Sequence, residues 1–195
     1  MKNSIKTCTL LLAFIGLSLA VNAQTGATTA SSATGIIYSV GVESGISSGN
    51  FNNSYRWNIG GSIQADIPVA DQFYATVNAG YLNFNGKDNI NGSGFSAPNI
   101  RLLPVMAGLK FFPIKVFYVQ ADAGAGFALN KTETGFTKTA AFLYAPQVGV
   151  LLNVGGKNYI DAGVRYEATT KYDSSVENSK INFFELRIAY AFEIR

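Results

Sequence analysis

Along residues 55–67, YRWNIGGSIQADI, the odd positions Tyr55, Trp57, Ile59, Gly61, Ile63, Ala65 and Ile67 are almost all apolar. The even positions, Arg56, Asn58, Gly60, Ser62, Gln64 and Asp66, are polar or tiny. Alternation with a period of two predicts a β-strand with one apolar and one polar face, here about twice the usual globular length. The pattern recurs over 36–46, 73–84, 99–112, 117–127, 142–154, 158–169 and 182–193. In the last of these, Phe184, Leu186, Ile188, Tyr190 and Phe192 alternate with Glu185, Arg187, Ala189 and Ala191.

The eight predicted strands are joined unequally. Long polar connections at 47–54, 85–98, 128–141 and 170–181 alternate with tight ones at 68–72, 113–116 and 155–157. This is the layout of an antiparallel up-and-down meander, with its short turns and both chain ends on one side. Pro68 and Pro113 fall at turns, where a missing N–H is tolerated. Pro104 and Pro146 fall inside strands, where each costs a ladder bond, so bulges are expected there.

The faces differ in charge as well as in hydropathy. Glu43, Arg56, Asp66, Lys110, Asp122, Asp161, Arg165, Glu167, Glu185 and Arg187 all occupy polar faces. Arg101, near a strand end, is the exception on an apolar face and can snorkel. Two closed barrels use such strands: a membrane barrel with its apolar face toward lipid, and a soluble barrel with that face inward around a lipophilic ligand. Strands of about eleven residues tilted near 40° span a bilayer's hydrocarbon.

Small residues crowd the polar faces (Gly41, Gly60, Gly80, Gly108, Gly124, Gly149, Gly163), which suits the cramped interior of a narrow barrel. Aromatics gather in two belts. Tyr55, Trp57, Tyr81, Phe127, Tyr144, Tyr166 and Phe184 lie beside the long loops, and Tyr38, Phe73, Phe111, Phe117, Tyr190 and Phe192 beside the short turns or termini. The two interfaces of a membrane select this distribution. The expected fold is therefore all-β, an eight-stranded antiparallel up-and-down transmembrane β-barrel.

Three segments carry a family likeness: VNAQ at 21–24, LPVMAGLKFFP at 103–113 and FFELRIAYAF at 183–192. With the alternation, they make the chain from about Ile36 onward resemble small bacterial outer-membrane β-barrel proteins, the porin family of the outer membrane protein A and X type. The resemblance implies residence in the outer membrane, contact with its lipid and lipopolysaccharide, and delivery by the barrel insertion machinery. Family members commonly finish on an aromatic that this machinery reads; here Phe192 is followed by Glu193, Ile194 and Arg195.

The start of the chain agrees with export. Lys2 and Lys6, an apolar run to Val21 and small residues up to Ala23 have the form of a signal peptide over 1–23. Residues 24–35, QTGATTASSATG, read as a flexible lead-in to a barrel domain over 36–195. The formal charge of +3 includes both leader lysines. Without them it is about +1, which gives no footing for nucleic-acid binding.

Chemistry is restricted by what is missing. The sequence has no histidine, and its one cysteine, Cys8, sits in the leader. Ser-His hydrolysis and thiol or zinc sites thus lack their central residues, and neither an enzyme activity nor a cofactor is expected. The carboxylates Asp161, Glu167 and Glu185 share the last hairpin with Arg165 and Arg187, and together with Glu43 predict a neutralising ion-pair network in the lumen. Lys110 with Asp122 or Asp66 forms a second candidate cluster.

The expected role is structural or surface-interacting, through four long extracellular loops open to an extracellular ligand. Asp173 and Glu177, in the last of them, are candidates to meet surface cations. The alternatives are a narrow ion or small-solute channel and a soluble carrier of an apolar ligand.

Overall fold

The computed structural model describes residues 35–89, 94, 96–173 and 179–194. The signal peptide, most of the lead-in and Glu177 lie outside the described residues. The alternating segments form β1 (Ile36–Ser47), β2 (Tyr55–Ala70), β3 (Phe73–Gly86), β4 (Ile100–Phe111), β5 (Phe117–Ala128), β6 (Ala140–Gly155), β7 (Asn158–Thr169) and β8 (Asn182–Ile194). A 3-10 turn at Gly49–Asn53 follows β1, and one turn of helix, α1 (Lys131–Thr134), follows β5. Each strand pairs antiparallel with its sequence neighbours, and β8 pairs with β1, closing the barrel in the order β1 to β8.

The register sets the shape of the wall. Stepping across paired residues from Tyr38 leads through Ala65, Val77, Ala107, Ala123, Tyr144, Ala168 and Asn182. The circuit returns to β1 at Ser48, whose N–H donates to Asn182 O. One turn therefore advances the start by about ten residues, which tilts the strands by roughly 40°. A strand of 12 residues then rises about 30 Å along the barrel axis, close to the hydrocarbon thickness of a bilayer.

Strand parity decides which side each residue meets. Val42 (67% exposed) and Ile63 (60%) stand on the outside, whereas Lys110 and Arg187 are fully buried inside. The apolar face is thus outward and the charges inward, the reverse of a soluble barrel around a greasy ligand. Such a wall is solvated by lipid, and the chain crosses the membrane with strands.

Two local expectations are corrected. Tyr55, placed by parity in the outward aromatic belt, points inward and is 9% exposed, while Arg56, placed on the polar face, is exposed. The cause is a bulge in β2: Tyr55 opposes Gly86 and Asn58 opposes Phe84, so β2 carries one residue more than β3 across the interval. The extra residue reverses the parity below it, and Arg56 and Trp57 both end up outside.

Pro104 and Pro146 do not cause the bulges expected of them. The β3/β4 ladder resumes in unchanged register from Ala79↔Val105 to Leu82↔Leu102, and the β6/β7 ladder from Gln147↔Arg165 to Tyr144↔Ala168. On their other sides Pro104 pairs with Gly126 and Pro146 with Ala121. A strand residue directs its N–H to one neighbour only, so the missing donor thins one ladder and leaves the other intact. The bulge on β6 lies instead at its turn, between Asn153 and Gly155, where Gly155 (φ 133°) and Gly156 (φ 57°) take conformations open to glycine.

Candidate functional site

The inward side chains stack in three layers along the axis. At the long-loop end, Phe51, Tyr55, Leu82, Phe84, Ile100, Leu102, Tyr172, Ile181 and Phe183 form an apolar cap. At the short-turn end, Ile37, Tyr74, Phe112, Tyr118, Leu151 and Ala191 form a second one. Between them lies a polar layer whose charges are almost completely removed from solvent.

The layer is one connected network. Lys110 Nζ lies 2.6 Å from Asp66 Oδ2 and 3.4 Å from Asp161 Oδ2, and 4.4 Å from the centre of the Tyr118 ring. Tyr118 donates its hydroxyl to Asp161 Oδ1 (2.6 Å) and accepts from Gln147 Nε2 (2.5 Å). Gln147 Oε1 in turn accepts from Arg165 Nε at 2.7 Å. Arg187 donates to Ser62 Oγ and Ser39 Oγ and sits 3.4 Å from both Asp161 Oδ2 and Glu43 Oε1. Arg165 Nη1 lies 3.1 Å from Glu167 Oε1, 3.3 Å from Glu185 Oε1 and 3.6 Å from Glu43 Oε1.

The structure therefore brings Glu43, Asp161, Arg165, Glu167, Glu185 and Arg187 together. It gives Lys110 to Asp66 and not to Asp122, whose oxygens accept from Thr76 Oγ1 and Gln120 Nε2, both at 2.6 Å. The uncharged links, Tyr118, Gln147, Gln64, Gln120 and Ser62, were not singled out in the sequence. Their signal was parity: each sits at an inward position among the named charges.

Neutralisation is incomplete. Within the membrane-spanning part, Lys110, Arg165 and Arg187 face twice their number of buried carboxylates: Glu43, Asp66, Asp122, Asp161, Glu167 and Glu185. A packed charge layer lies between two apolar caps in the bore of a narrow eight-stranded barrel. Among the described residues no group of three or more potential ligands is arranged to hold a metal ion.

The outer cap joins strand residues to Phe51, Tyr172 and Ile181 of the loops. Phe51 stacks on Tyr55 at 4.6 Å and meets Phe84 edge-on at 5.4 Å, and Phe84 meets Phe183 at 4.9 Å. Phe136 stacks on Tyr172 at 4.8 Å. Tyr55 donates to Pro98 O (3.0 Å) and Tyr172 to Gly126 O (2.7 Å), so all four long connections are tied to the cap. Burial pushes the Tyr172 phenol well above the ordinary tyrosine range. A small cleft of about 130 Å³ opens beside Phe51, Tyr55, Phe136 and Lys180.

On the outside, aromatic side chains mark both edges of the wall. Trp57, Tyr81, Tyr144 and Phe184 are exposed near the long loops, with Tyr166 half-buried and packed 4.8 Å from Phe184. Near the turns, Phe73 stacks on Phe111 at 4.6 Å, Tyr38 and Tyr190 pack against Phe192, and Phe117 is half-buried. Around the outer rim stand Arg56, Lys87, Arg101, Lys131, Lys138, Lys171 and Lys180, with fewer acids, Asp88, Glu133 and Asp173, among the described residues.

No protein-family model matches the chain, and no curated protein matches it in sequence. Solved structures do match in fold. The outer membrane protein OprG from Pseudomonas aeruginosa aligns with 83% of this chain and 96% of its own, at 12% identity and a TM-score of 0.54. The outer membrane protein AlkL, solved in lipid bilayers, aligns with 87% of this chain and 95% of its own, at 17% identity and a TM-score of 0.55. The Yersinia pestis outer membrane protein Ail, in a nanodisc, aligns with 80% of this chain and 99% of its own, at 15% identity and a TM-score of 0.51. With its outward apolar wall, two aromatic edges and buried charges, the chain folds as a multi-pass transmembrane β-barrel, similar in architecture to these small outer-membrane proteins.

Proposed function

We propose that the protein is a membrane-anchored scaffold that presents its four long loops at the outer surface of the cell and acts through them, with no open pore and no catalysis. The observation that carries this reading is the lumen, filled by interlocked charges and capped by apolar side chains at both ends. Solutes have no route through such an interior, so chemistry with the surroundings falls to the outer end. That end is organised: each long connection is held by a buried aromatic or a side-chain hydrogen bond.

The excess of basic residues around the rim suits anionic partners. Arg56 and Arg101 both stand on the outward side close to Trp57 and Tyr81, where the phosphates of lipopolysaccharide would meet them. An extracellular ligand with acidic groups would use the same charges from above. The insertion machinery would read β8, whose Phe192 packs in the aromatic belt of the turn end.

The test is a pair of measurements on folded protein in lipid. Single-channel recording should show no conductance above that of the bare bilayer, and steady openings would replace the scaffold with a channel. Purified barrel should retain lipopolysaccharide, and R56Q/R101Q should lose most of it; equal retention by both would remove the rim from the reading.

A further inference from the structure

The excess negative charge of the lumen is concentrated at one place. Lys110 pairs with Asp66, Arg187 with Asp161, and Asp122 is held by two short hydrogen bonds from neutral donors. What remains is Arg165, with three carboxylates converging on the single nitrogen Nη1. One of them, Glu43, is also served by Arg187 and by the Ser62 hydroxyl at 2.7 Å. Glu167 and Glu185 have no second cation. Each is buried, and Oε2 of each has no hydrogen-bond partner.

The Oε1 atoms of the two lie 3.1 and 3.3 Å from the same Arg165 nitrogen, so both carboxyl groups crowd against one cation. Two carboxylates cannot hydrogen-bond without a proton between them, since both are acceptors only. Two like charges under an apolar cap, sharing one guanidinium, would repel strongly in a medium far less polar than water.

We infer that Glu167 and Glu185 form a proton-binding site, in which one proton is held between the two carboxyl groups at neutral pH and the resulting acid–carboxylate pair faces Arg165 as a single negative charge. The charged and titratable groups surrounding the pair are Glu43 on β1, Asp122 on β5, Asp161 and Arg165 on β7, Arg187 on β8 and Tyr172 from the last loop. Of these, only the two arginines favour a second negative charge. The site lies directly beneath the outer cap, since Phe183 precedes Glu185 by one inward position on β8 and Thr169 follows Glu167 on β7. Loss of the proton would draw water or a cation into the base of the cap.

Infrared spectroscopy of the folded barrel in lipid vesicles tests this. At neutral pH the wild type should show the carbonyl band of an un-ionised carboxylic acid equal to one group per chain, and that band should vanish in E167Q and in E185Q. An amide can take the place of the shared acid as a donor, so both variants should still fold. A wild-type spectrum without the band at neutral pH overturns the inference without reference to any variant. A band that survives in both variants places the proton elsewhere and overturns it as well. Resistance to unfolding in SDS gives a second reading: alkaline buffer should speed wild-type unfolding several-fold more than that of E185Q. If added sodium or calcium, and not the proton, governs that rate, the site holds a metal cation and the proton is rejected.

Discussion

Lys110 on β4 and Asp66 on β2 meet across the lumen at 2.6 Å, with both side chains sealed from solvent. Neither charge is worth burying alone, and each is there because the other is.

Lys110→Met should therefore cost about 3 to 5 kcal/mol of stability, because it strands Asp66 and weakens the hold on Asp161. Combining it with Asp66→Asn should recover a large part of the loss. Urea titration of barrels in vesicles, read by gel mobility of unboiled samples, measures both, and a double variant no better than the single would show that the pair is not coupled.

Gly163 is a packing constraint on the same layer. A Cβ there would lie 2.7 Å from both Gln147 Nε2 and the Tyr118 hydroxyl. Gly163→Val should push Tyr118 off Asp161 and destabilise the barrel by about 1 to 3 kcal/mol. Gly61, where a Cβ would approach Gly41 O at 3.1 Å, should accept alanine with a smaller loss in the same titration.

Trp57 is the one tryptophan of the chain and is 43% exposed on the outer edge of the wall. Its emission should move to shorter wavelength on folding into vesicles, with quenching strongest for lipids brominated near the headgroup. Quenching strongest at the bilayer centre, or none, would contradict its position at the interface.

Tyr172 ties the last loop to the wall by donating to Gly126 O. Burial favours its neutral form, so its folded-state ionisation lies above that of the unfolded chain. Stability from this group is complete below the ordinary tyrosine value, near pH 10, and falls as pH rises beyond it. Tyr172→Phe should cost about 1 kcal/mol at neutral pH through the lost hydrogen bond, and it should flatten this alkaline decline. Protease cleavage in the last loop across the pH range gives the comparison.

The alternation in the sequence was sufficient for the strands, their order and the lipid-facing side, because inside and outside differ by single-residue parity. It failed where parity is broken. The β2 bulge leaves no mark in the pattern at Tyr55, since an aromatic is at home on either side near a strand end, and only the pairing with β3 reveals it. The prolines misled for a related reason: their cost falls on one ladder, and sequence alone does not tell which. For the lumen, the charged residues were legible as a set, but their partners depend on the shear of the wall. Lys110 reaches Asp66 on β2 and Asp161 on β7 from its place on β4, and neighbouring positions along the chain do not disclose such cross-lumen meetings.

The seam between β1 and β8 has a consequence for how the molecule comes to exist. Tyr38 pairs with Phe192, so the first strand waits for the last before either obtains its full set of backbone bonds. Closure is the most non-local event in the chain, and long-range pairing is slow. Until it occurs, two unpaired edges and a greasy exterior are open to any strand that passes. The unfolded protein must therefore be kept dilute or chaperoned in transit, and its two edges must find each other before the chain can rest in lipid, where an unpaired edge has no water to satisfy it.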